Sequence, residues 1–356
     1  MKLTSRQGRP YWFRTCDLDT DIWANGAHVV SCPKDTALTL WGGGMASAKF
    51  SLMGTAYCSQ DTWLLDGING AGLAGGLLLL EEGTSVPEAH DRVGVMGMEA
   101  VFYFLSSCAN TAEVCRAASS IQITNVPTDA GTVPASRHYF VVDIQGNTVI
   151  LEAADPTRPG YLQAYTDNSI GIMTNSPPYP QQLDNLRWFL SQSPELHRGG
   201  DDCPITQPAW EGVRLSGDAA APHVSRSGIL PASYAPYDRF IRLAVMKALN
   251  HDGHWIDDHQ MLPLGADILQ TVFEPRSRGV YHYRHTDAAG YPSGHSDGYT
   301  QYTIMYDLSR PGLYLKPFDS TAWTGIALDS CPAETIRHYA VCREPMAGVT
   351  PGQPAS

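Results

Sequence analysis

The stretch Tyr11-Trp12-Phe13-Arg14-Thr15-Cys16-Asp17 governs how the first part of this chain is interpreted. Its aromatic and β-favouring residues predict a strand. It carries two charges, Arg14 and Asp17, and residues three apart in a regular strand point to opposite faces of the sheet. The two side chains can therefore share a site only if the strand ends or bulges beside them. Taken alone, they would be interpreted as a surface ion pair.

Similar segments recur along the chain and are interspersed with helical patterns. β-favouring residues occupy 27–31, 49–57, 63–80 (interrupted by the turn Asn69-Gly70), 138–142, 148–151, 280–285, 299–308 and 313–317. Helical patterns occupy 95–107, 112–120, 183–192 and 237–249. This order favours an α+β fold, in which helices cover two stacked, mostly antiparallel sheets, over an alternating βαβ fold.

The composition of the chain indicates its domain organisation and excludes one class of partner. The 356 residues are 43% hydrophobic, enough for a substantial core. We expect a single domain over 1–345 with a polar surface excursion at about 193–222, followed by a flexible tail rich in Pro and Gly over 346–356. Lys and Arg number 24 against 36 Asp and Glu, and the resulting charge of −12 argues against a nucleic-acid partner.

Targeting and cysteine usage point to the cytoplasm. The polar first residues show no export signal, and the most apolar stretch, 71–80, is about half the length of a membrane span. The eight cysteines form no Cys-x-x-Cys pair and suggest neither a zinc site nor a compact disulfide framework. We therefore expect a reduced cytoplasmic protein without a membrane partner.

Five segments resemble, in the same order, segments of the choloylglycine hydrolase family, which includes bile salt hydrolases and penicillin V acylases. They are Phe13 to Asp17, Leu65 to Leu73, Gly171 to Pro177, Leu230 to Arg242, and Tyr299 to Ile304 with Gly312-Leu313-Tyr314. The resemblance implies a four-layer αββα sandwich of the N-terminal-nucleophile (Ntn) hydrolases. It also implies hydrolysis of a linear amide C–N bond in a small N-acyl substrate, without a metal or organic cofactor, and a homo-oligomer, a tetramer by family, formed through the excursion.

The resemblance also implies residue roles. In the family a cysteine thiol at the mature N-terminus attacks the carbonyl, and its own α-amino group acts as the base. Arg14 would favour the thiolate, Asp17 would anchor the amino group, Asn175 would donate to the oxyanion, and Arg239 would hold the charges of the site together. Taken alone, Asn175 would be a turn residue and Arg239 a solvated helix residue.

The chain departs from the family at the nucleophile. Where the family has Cys after the initiator Met, this chain has Lys2, or Leu3 if Thr4-Ser5 is matched to the residues that follow the family's Cys. Neither side chain can attack a carbonyl in the required way, and Met1 should stay ahead of Lys2. Three explanations remain open: a deliberate replacement of the nucleophile, a natural inactive relative that binds or assembles, and unmasking of Thr4 or Ser5 by processing.

A second departure concerns the substrate. The family position held by Asn in bile salt hydrolases and by Tyr in penicillin acylases falls within Leu77-Leu78-Leu79-Leu80, at Leu79. A leucine offers no hydrogen bond, so an apolar acyl group is the most that can be inferred. By resemblance Cys16 and Thr174 would also line the substrate pocket. Cys16 is interpreted as a small hydrophobe rather than as a reactive thiol, because a cysteine in mid-chain has no α-amino base.

Two patterns indicate other classes of site. Gly294-His295-Ser296-Asp297-Gly298 matches G-x-S-x-G, but a nucleophile elbow needs a strand before the serine and a helix after it. A loop is expected before it and a strand after it. The run His251-Asp252-Gly253-His254, with Asp257, Asp258 and His259, could hold a metal, although polar loops after a helix are commoner.

Overall fold

The structure is a computed structural model that describes residues 1–41, 45–128, 131–166, 170–191, 230–276, 282–286, 292–341 and 343. The predicted excursion at 193–222 and the predicted tail at 346–356 lie outside the described residues.

The described residues form strands and five α-helices that follow the predicted order. The strands are β1 (Lys2–Thr4), β2 (Pro10–Leu18), β3 (His28–Cys32), β4 (Ala37–Thr39), β5 (Met45–Ser47), β6 (Leu52–Tyr57), β7 (Gln60–Asn69), β8 (Ala74–Leu79), β9 (Val93–Met96), β10 (Ile121–Thr124), β11 (Val126–Thr128), β12 (Gly131–Val133), β13 (Arg137–Val142), β14 (Thr148–Glu152), β15 (Gln163–Tyr165), β16 (His282–Thr286), β17 (Pro292–Asp297), β18 (Tyr299–Asp307), β19 (Gly312–Pro317), β20 (Thr324–Ala327) and β21 (Arg337–Tyr339). The helices are α1 (Ala100–Ser107), α2 (Thr111–Ser120), α3 (Tyr179–Ser191), α4 (Pro236–Leu249) and α5 (Met261–Gln270).

Two large antiparallel sheets form the centre of the fold. One has the strand order β1-β2-β18-β19-β20, and the other has the order β15-β14-β13-β8-β7-β6-β3-β21. Trp12 of β2 lies between the sheets, with its ring 5.7 Å from that of Tyr306 and 6.1 Å from that of Phe140 in the opposite sheet. Alternation along β2 turns the next residue, Phe13, toward helix α5.

Helices cover the outer faces of both sheets. Helix α1 packs on β7 and β8, and α2 packs on β14, while α5 contacts β2 and β18 and also packs against α4. The predicted α+β fold is confirmed as an αββα sandwich of two mostly antiparallel sheets. No helix among the described residues is long and apolar enough to cross a membrane.

Two elements differ from the sequence prediction. The predicted helix over 95–107 begins at Ala100, because Val93–Met96 pairs in parallel with β10 and Gly97 disfavours a longer helix. Helix α5 was not predicted, since Pro263 and Gly265 lower the helix propensity of its sequence. Gly265 is required there because a Cβ atom at this position would lie 2.0 Å from the ring of Phe13.

Gly76 sets how closely the two sheets approach each other. A Cβ atom at this position would lie 2.7 Å from the Trp12 ring, 2.8 Å from Nη1 of Arg14 and 2.9 Å from the carbonyl oxygen of Leu65. We expect Gly76→Ala to lower the free energy of unfolding by about 1–3 kcal/mol, as overpacking does in well-packed cores. Urea denaturation followed by tryptophan fluorescence measures this loss.

The matched control is Gly325→Ala. Gly325 is exposed on the edge strand β20, where the added methyl meets the ring of the partly exposed Tyr314. That ring can move, so the control should change stability by less than about 0.5 kcal/mol. Equal losses for the two variants would contradict a special role for Gly76.

Candidate active site

A pocket of about 370 Å³ opens where the predicted site residues meet the start of the chain. It is lined by Met1, Arg14, Asp17, Asn175 and Arg239, together with apolar side chains. The structure thus brings the four predicted polar side chains together around the first residue. The predicted Cys16, Leu79 and Thr174 also line this pocket.

A bulge in β18, with Gln301 as its extra residue, faces the Cys16–Asp17 step of β2. The pairing of β2 with β18 shifts between Thr300 and Tyr302, so that Thr300 lies opposite Asp17 and Tyr302 opposite Cys16. A bulge increases the local twist and re-aims neighbouring side chains. It lies one residue before the end of β2 at Leu18, and it supplies the irregularity that a site shared by Arg14 and Asp17 requires.

Arg14 is buried and bonded to the backbone of the opposite sheet. Its Nη1 donates to the carbonyl oxygens of Leu65 at 2.8 Å and Leu77 at 3.0 Å, and lies 3.4 Å from Oδ2 of Asp66. Asp66 is fully buried and accepts hydrogen bonds from the hydroxyls of Tyr302 at 2.5 Å and Tyr306 at 2.7 Å. Asp66 falls within a segment that resembles the family, but this role was not predicted for it from the sequence.

Arg239 connects three elements at the pocket. It lies in the first turn of α4, where its Nη1 is 3.1 Å from Oδ2 of Asp17 and its Nη2 donates to Oδ1 of Asn175 at 2.8 Å. Asp17 also accepts from the hydroxyls of Thr300 at 2.6 Å and Thr15 at 3.1 Å. These contacts fix the position of the Asn175 amide relative to β2.

The turn that carries Asn175 is held from both sides. Its backbone oxygen accepts from Nε2 of Gln182 at 2.8 Å, and Nε2 of His138 lies 2.7 Å from the carbonyl oxygen of Thr174. The hydroxyl of Thr174 donates to the carbonyl oxygen of Pro236 at 2.9 Å. The Asn175 Nδ2 group makes a long contact of 3.4 Å with the carbonyl oxygen of Leu79, a weak bond that a ligand oxygen could replace.

Met1 occupies the position that faces the pocket. Its α-amino group is buried and donates to the carbonyl oxygen of Phe13 at 2.7 Å. The N–H of Phe13 donates to the carbonyl oxygen of Met1 at 2.8 Å. Burial, and then the charges of Lys247 and Arg14, hold the pKa of this amino group well below its usual value. This environment favours the neutral amine, which is the form that can accept a proton.

Neither of the two predicted nucleophile positions, Lys2 and Leu3, lines the pocket. Lys2 points away from the pocket to pair with Asp252 at 3.2 Å, and Leu3 is fully buried in the core. Met1 lines the pocket instead. The predicted anchor also differs, because the amino group is bonded to the Phe13 carbonyl rather than to Asp17.

Thr4 and Ser5 lie at the far end of β1 from the pocket. The Ser5 hydroxyl is buried and donates to Oδ1 of Asp258 at 2.6 Å. Neither residue lines the pocket, so the geometry does not favour either of them as an unmasked nucleophile.

Glu274 was not predicted from the sequence. Its side chain is buried, with Oε1 3.5 Å from Nε of Arg239. Burial and the negative charge of Asp17 raise the pKa of Glu274 to about 8. No motif marks this glutamate, and its proximity to Arg239 depends on the packing of the segment after α5.

Cys16 and Leu79 give the pocket an apolar wall. Burial raises the pKa of the Cys16 thiol to about 12, so the group stays protonated at neutral pH and is a poor nucleophile. The interpretation of Cys16 as a small hydrophobe is consistent with this environment. Leu79 lines the pocket with its neighbours Leu77 and Leu78.

The two alternative sites are not favoured by the structure. Asp252 pairs with Lys2 at 3.2 Å and Lys247 at 3.1 Å, Asp257 pairs with Arg6 at 2.7 Å, and Asp258 pairs with Arg9 at 2.8 Å. Protein cations therefore already neutralise these carboxylates. In the G-x-S-x-G segment, the loop predicted before Ser296 is wrong, because Ser296 lies within strand β17. Strand β18 then follows where an elbow needs a helix.

The αββα sandwich, with the first residue of the chain in a pocket at its centre, defines an Ntn-type hydrolase fold. The chain belongs to the choloylglycine hydrolase family of linear amide C-N hydrolases, whose family model matches residues 1–331.

Individual relatives agree with this assignment. The chain is 25% identical over 201 residues to a bile salt hydrolase/transferase of Clostridium perfringens, covering 55% of each chain. It is also 25% identical over 187 residues to an uncharacterized protein of Paramecium bursaria Chlorella virus 1, covering 52% of this chain and 59% of the relative. The alignments thus span just over half the length of these relatives.

Solved structures share the fold over nearly the whole chain. A variant of conjugated bile acid hydrolase from Clostridium perfringens superposes with a TM-score of 0.73 at 18% identity, over 97% of both chains. Penicillin V acylase from Agrobacterium tumefaciens superposes with a TM-score of 0.65 at 18% identity, over 92% of this chain and 86% of its own.

The raised pKa of Glu274 predicts a dependence of stability on pH. The pKa is about 8 in the folded chain and about 4.3 in an unfolded one, so the folded state binds the proton more tightly. This contribution to stability is complete below about pH 4 and is lost as the pH rises through 8. Glu274→Gln removes that loss. Its unfolding free energy relative to wild type should therefore rise by about 4 kcal/mol between about pH 5 and pH 8.5 in urea denaturation.

Glu334→Gln, at an exposed glutamate, is the matched control and should show the same difference from wild type at both pH values. A Glu274→Gln difference that does not change with pH would show that the carboxyl group is not held protonated.

Proposed function

We propose that this chain is built to hydrolyse the C–N bond of a small N-acyl amide, with residue 1 as the position of the nucleophile. The observation that carries the proposal is the position of Met1, whose buried α-amino group is bonded to the Phe13 carbonyl and which lines the pocket together with Arg14. An N-terminal nucleophile needs the combination of a neutral amine as base and a nearby cation.

The chemistry follows from the geometry if a cysteine stands at residue 1. The α-amine takes the thiol proton, and the charge of Arg14 favours the thiolate. As the thiolate attacks the carbonyl carbon, the carbonyl oxygen gains negative charge and can accept a hydrogen bond from Nδ2 of Asn175. The protonated α-amine then gives its proton to the leaving nitrogen, and the amine product departs. Water, activated by the same amine, hydrolyses the thioester and releases the acid.

Arg239 and Asp17 support this chemistry without touching the scissile bond. By holding Oδ1 of Asn175, Arg239 leaves the NH₂ end of that amide directed toward the pocket. Asp17 balances the charge of Arg239 at 3.1 Å. We assign both as positioning residues.

With Met1 at this position, we infer that the chain binds its ligand without turning it over. A methionine thioether has no proton to give up, and its attack on a carbonyl would leave an uncompensated sulfonium charge. The pocket and its polar groups do not depend on that side chain. A binding homologue is therefore the second candidate, favoured by the methionine in the pocket.

The pocket wall supports an apolar acyl group. Leu77, Leu78, Leu79, Met173 and Leu243 all line it. Apolar groups of the substrate would leave water on entering this surface, which favours binding. The expectations of a cytoplasmic location and a homo-oligomer, a tetramer by family resemblance, remain predictions attached to this proposal.

Met1→Cys should convert the pocket into an amidase. The variant is expressed with an initiator methionine ahead of the new cysteine, so that cellular processing exposes that cysteine as the first residue, and intact mass verifies the removal. Amide hydrolysis is then measured on a panel of N-acyl amino acids with acyl chains of different length. We expect turnover that increases with acyl length and disappears when the introduced thiol is alkylated.

Met1→Ala, prepared and processed in the same way, is the control and should bind the same compounds without hydrolysis. Turnover by the unsubstituted chain itself would refute the inference of binding without catalysis. A processed Met1→Cys chain that binds N-acyl amides but does not hydrolyse them would refute the amidase proposal and leave the binding function.

In the Met1→Cys chain, Asn175→Asp should act on the chemical step. It replaces the NH₂ donor by an acceptor of similar shape, and loss of one oxyanion donor lowers kcat by about 10²–10³-fold. We expect KM to change by less than about fivefold, because ground-state contacts of the acyl group are kept. Steady-state kinetics separate the two constants. A large rise in KM with unchanged kcat would instead assign Asn175 to substrate binding.

A further inference from the structure

Two histidines and an aspartate meet at an edge of the eight-stranded sheet, away from the pocket. His28 lies on β3, Asp61 on β7 and His338 on the edge strand β21. None of them lines the pocket. The proposed amide chemistry uses none of these three side chains.

Their ligand atoms converge closely. Nε2 of His28 lies 2.9 Å from Oδ1 of Asp61, and Nε2 of His338 lies 2.8 Å from the same oxygen. The centres of the two imidazole rings are 4.5 Å apart. One nitrogen from each ring and one carboxylate oxygen all lie within 4.8 Å of one another.

The backbone fixes the orientation of His28. Its Nδ1 lies 3.0 Å from the carbonyl oxygen of Gly26, which can only accept, so Nδ1 carries the proton in the neutral ring. Nε2 faces Oδ1 of Asp61, which also only accepts, so a metal that binds there takes the place of the proton shared by these two atoms. The same Gly26 oxygen accepts from the N–H of Ser59 at 3.0 Å, which holds it in place. A histidine that binds a metal through one nitrogen commonly donates from the other to a carbonyl in this way.

We propose that His28, Asp61 and His338 form a binding site for a divalent transition metal such as Zn²⁺. Two neutral imidazoles and one carboxylate are a common three-residue ligand set for zinc, with a fourth position left for water. Tetrahedral coordination at usual bond lengths would separate the ligand atoms by about 3.3 Å. The two nitrogen–oxygen distances of 2.9 and 2.8 Å would both have to lengthen, which requires small movements of the Asp61 carboxylate and of the exposed His338 side chain.

Such a metal would fasten the end of the described chain to the sheet. Strand β21 pairs with β3 through three residue pairs, Arg337 with Ser31, His338 with Val30 and Tyr339 with Val29. It lies beyond residues 1–331, where the family model ends. A metal bound to β3, β7 and β21 would add a cross-link to this short pairing, because it stabilises the state in which all three ligands are in place.

The test uses the full chain without a polyhistidine tag, stripped with chelator and titrated with Zn²⁺ at about pH 7.5. We expect one Zn²⁺ per chain, with affinity at least tenfold weaker in His338→Gln and in Asp61→Asn. Zn²⁺ should raise the unfolding temperature of wild type and have little effect on either variant. Mg²⁺ should produce no shift, since it prefers oxygen ligands.

His254→Gln is the matched control. The side chain of His254 is 59% exposed against 58% for His338, and it lies beside Asp252 in the ion-paired acidic loop. Its substitution should leave Zn²⁺ binding unchanged. The proposal is overturned if wild type shows no stoichiometric binding at micromolar Zn²⁺, or if Asp61→Asn and His338→Gln bind as wild type does. In that event the three side chains form an ion-paired cluster only.

Discussion

The guanidinium group of Arg14 is the interaction on which the arrangement of the site depends. It leaves β2 in one sheet and is bonded to the carbonyl oxygens of Leu65 and Leu77 in the other. A buried cation is costly unless it is paired and fully hydrogen-bonded, and Asp66 supplies the nearby negative charge. The two sheets are therefore fixed in separation and in register at this point, and Gly76 provides the space that the guanidinium occupies.

A second group of charges lies at the end of β2 and depends on this registration. Asp17 and Glu274 both approach Arg239, at 3.1 Å and 3.5 Å. Burial of the Glu274 carboxyl, and then the negative charge of Asp17 beside the same guanidinium, raise the pKa of Glu274. Arg239 thus keeps one full ionic partner in Asp17 while it holds the Asn175 amide.

Local patterns in the sequence predicted the two-sheet fold, whereas the four polar side chains that line the pocket were singled out by the resemblance to the family. Strands such as β2 and β13 have aromatic and β-branched residues that fit a pleated surface. Glu274 and Asp66 acquire their roles through contacts with residues distant in sequence, so no local pattern indicates them. The position of residue 1 depends on the register of the first hairpin, in which Leu3 pairs with Tyr11. The length of the turn between β1 and β2 sets that register. The comparison of sequence segments with the family could not give the register.

The surroundings of residue 1 and its own side chain contribute different properties to the site. Burial, and then the charges of Lys247 and Arg14, lower the pKa of the α-amine, and these contributions do not require any particular side chain on residue 1. The Asn175 amide is likewise held by Arg239 and by the backbone of its own turn. In the proposed mechanism, the fold therefore supplies a base, a nearby cation and an oxyanion donor whichever side chain residue 1 carries. Under the proposed mechanism, the side chain of residue 1 would decide between turnover and binding, while the pocket around it would be common to both.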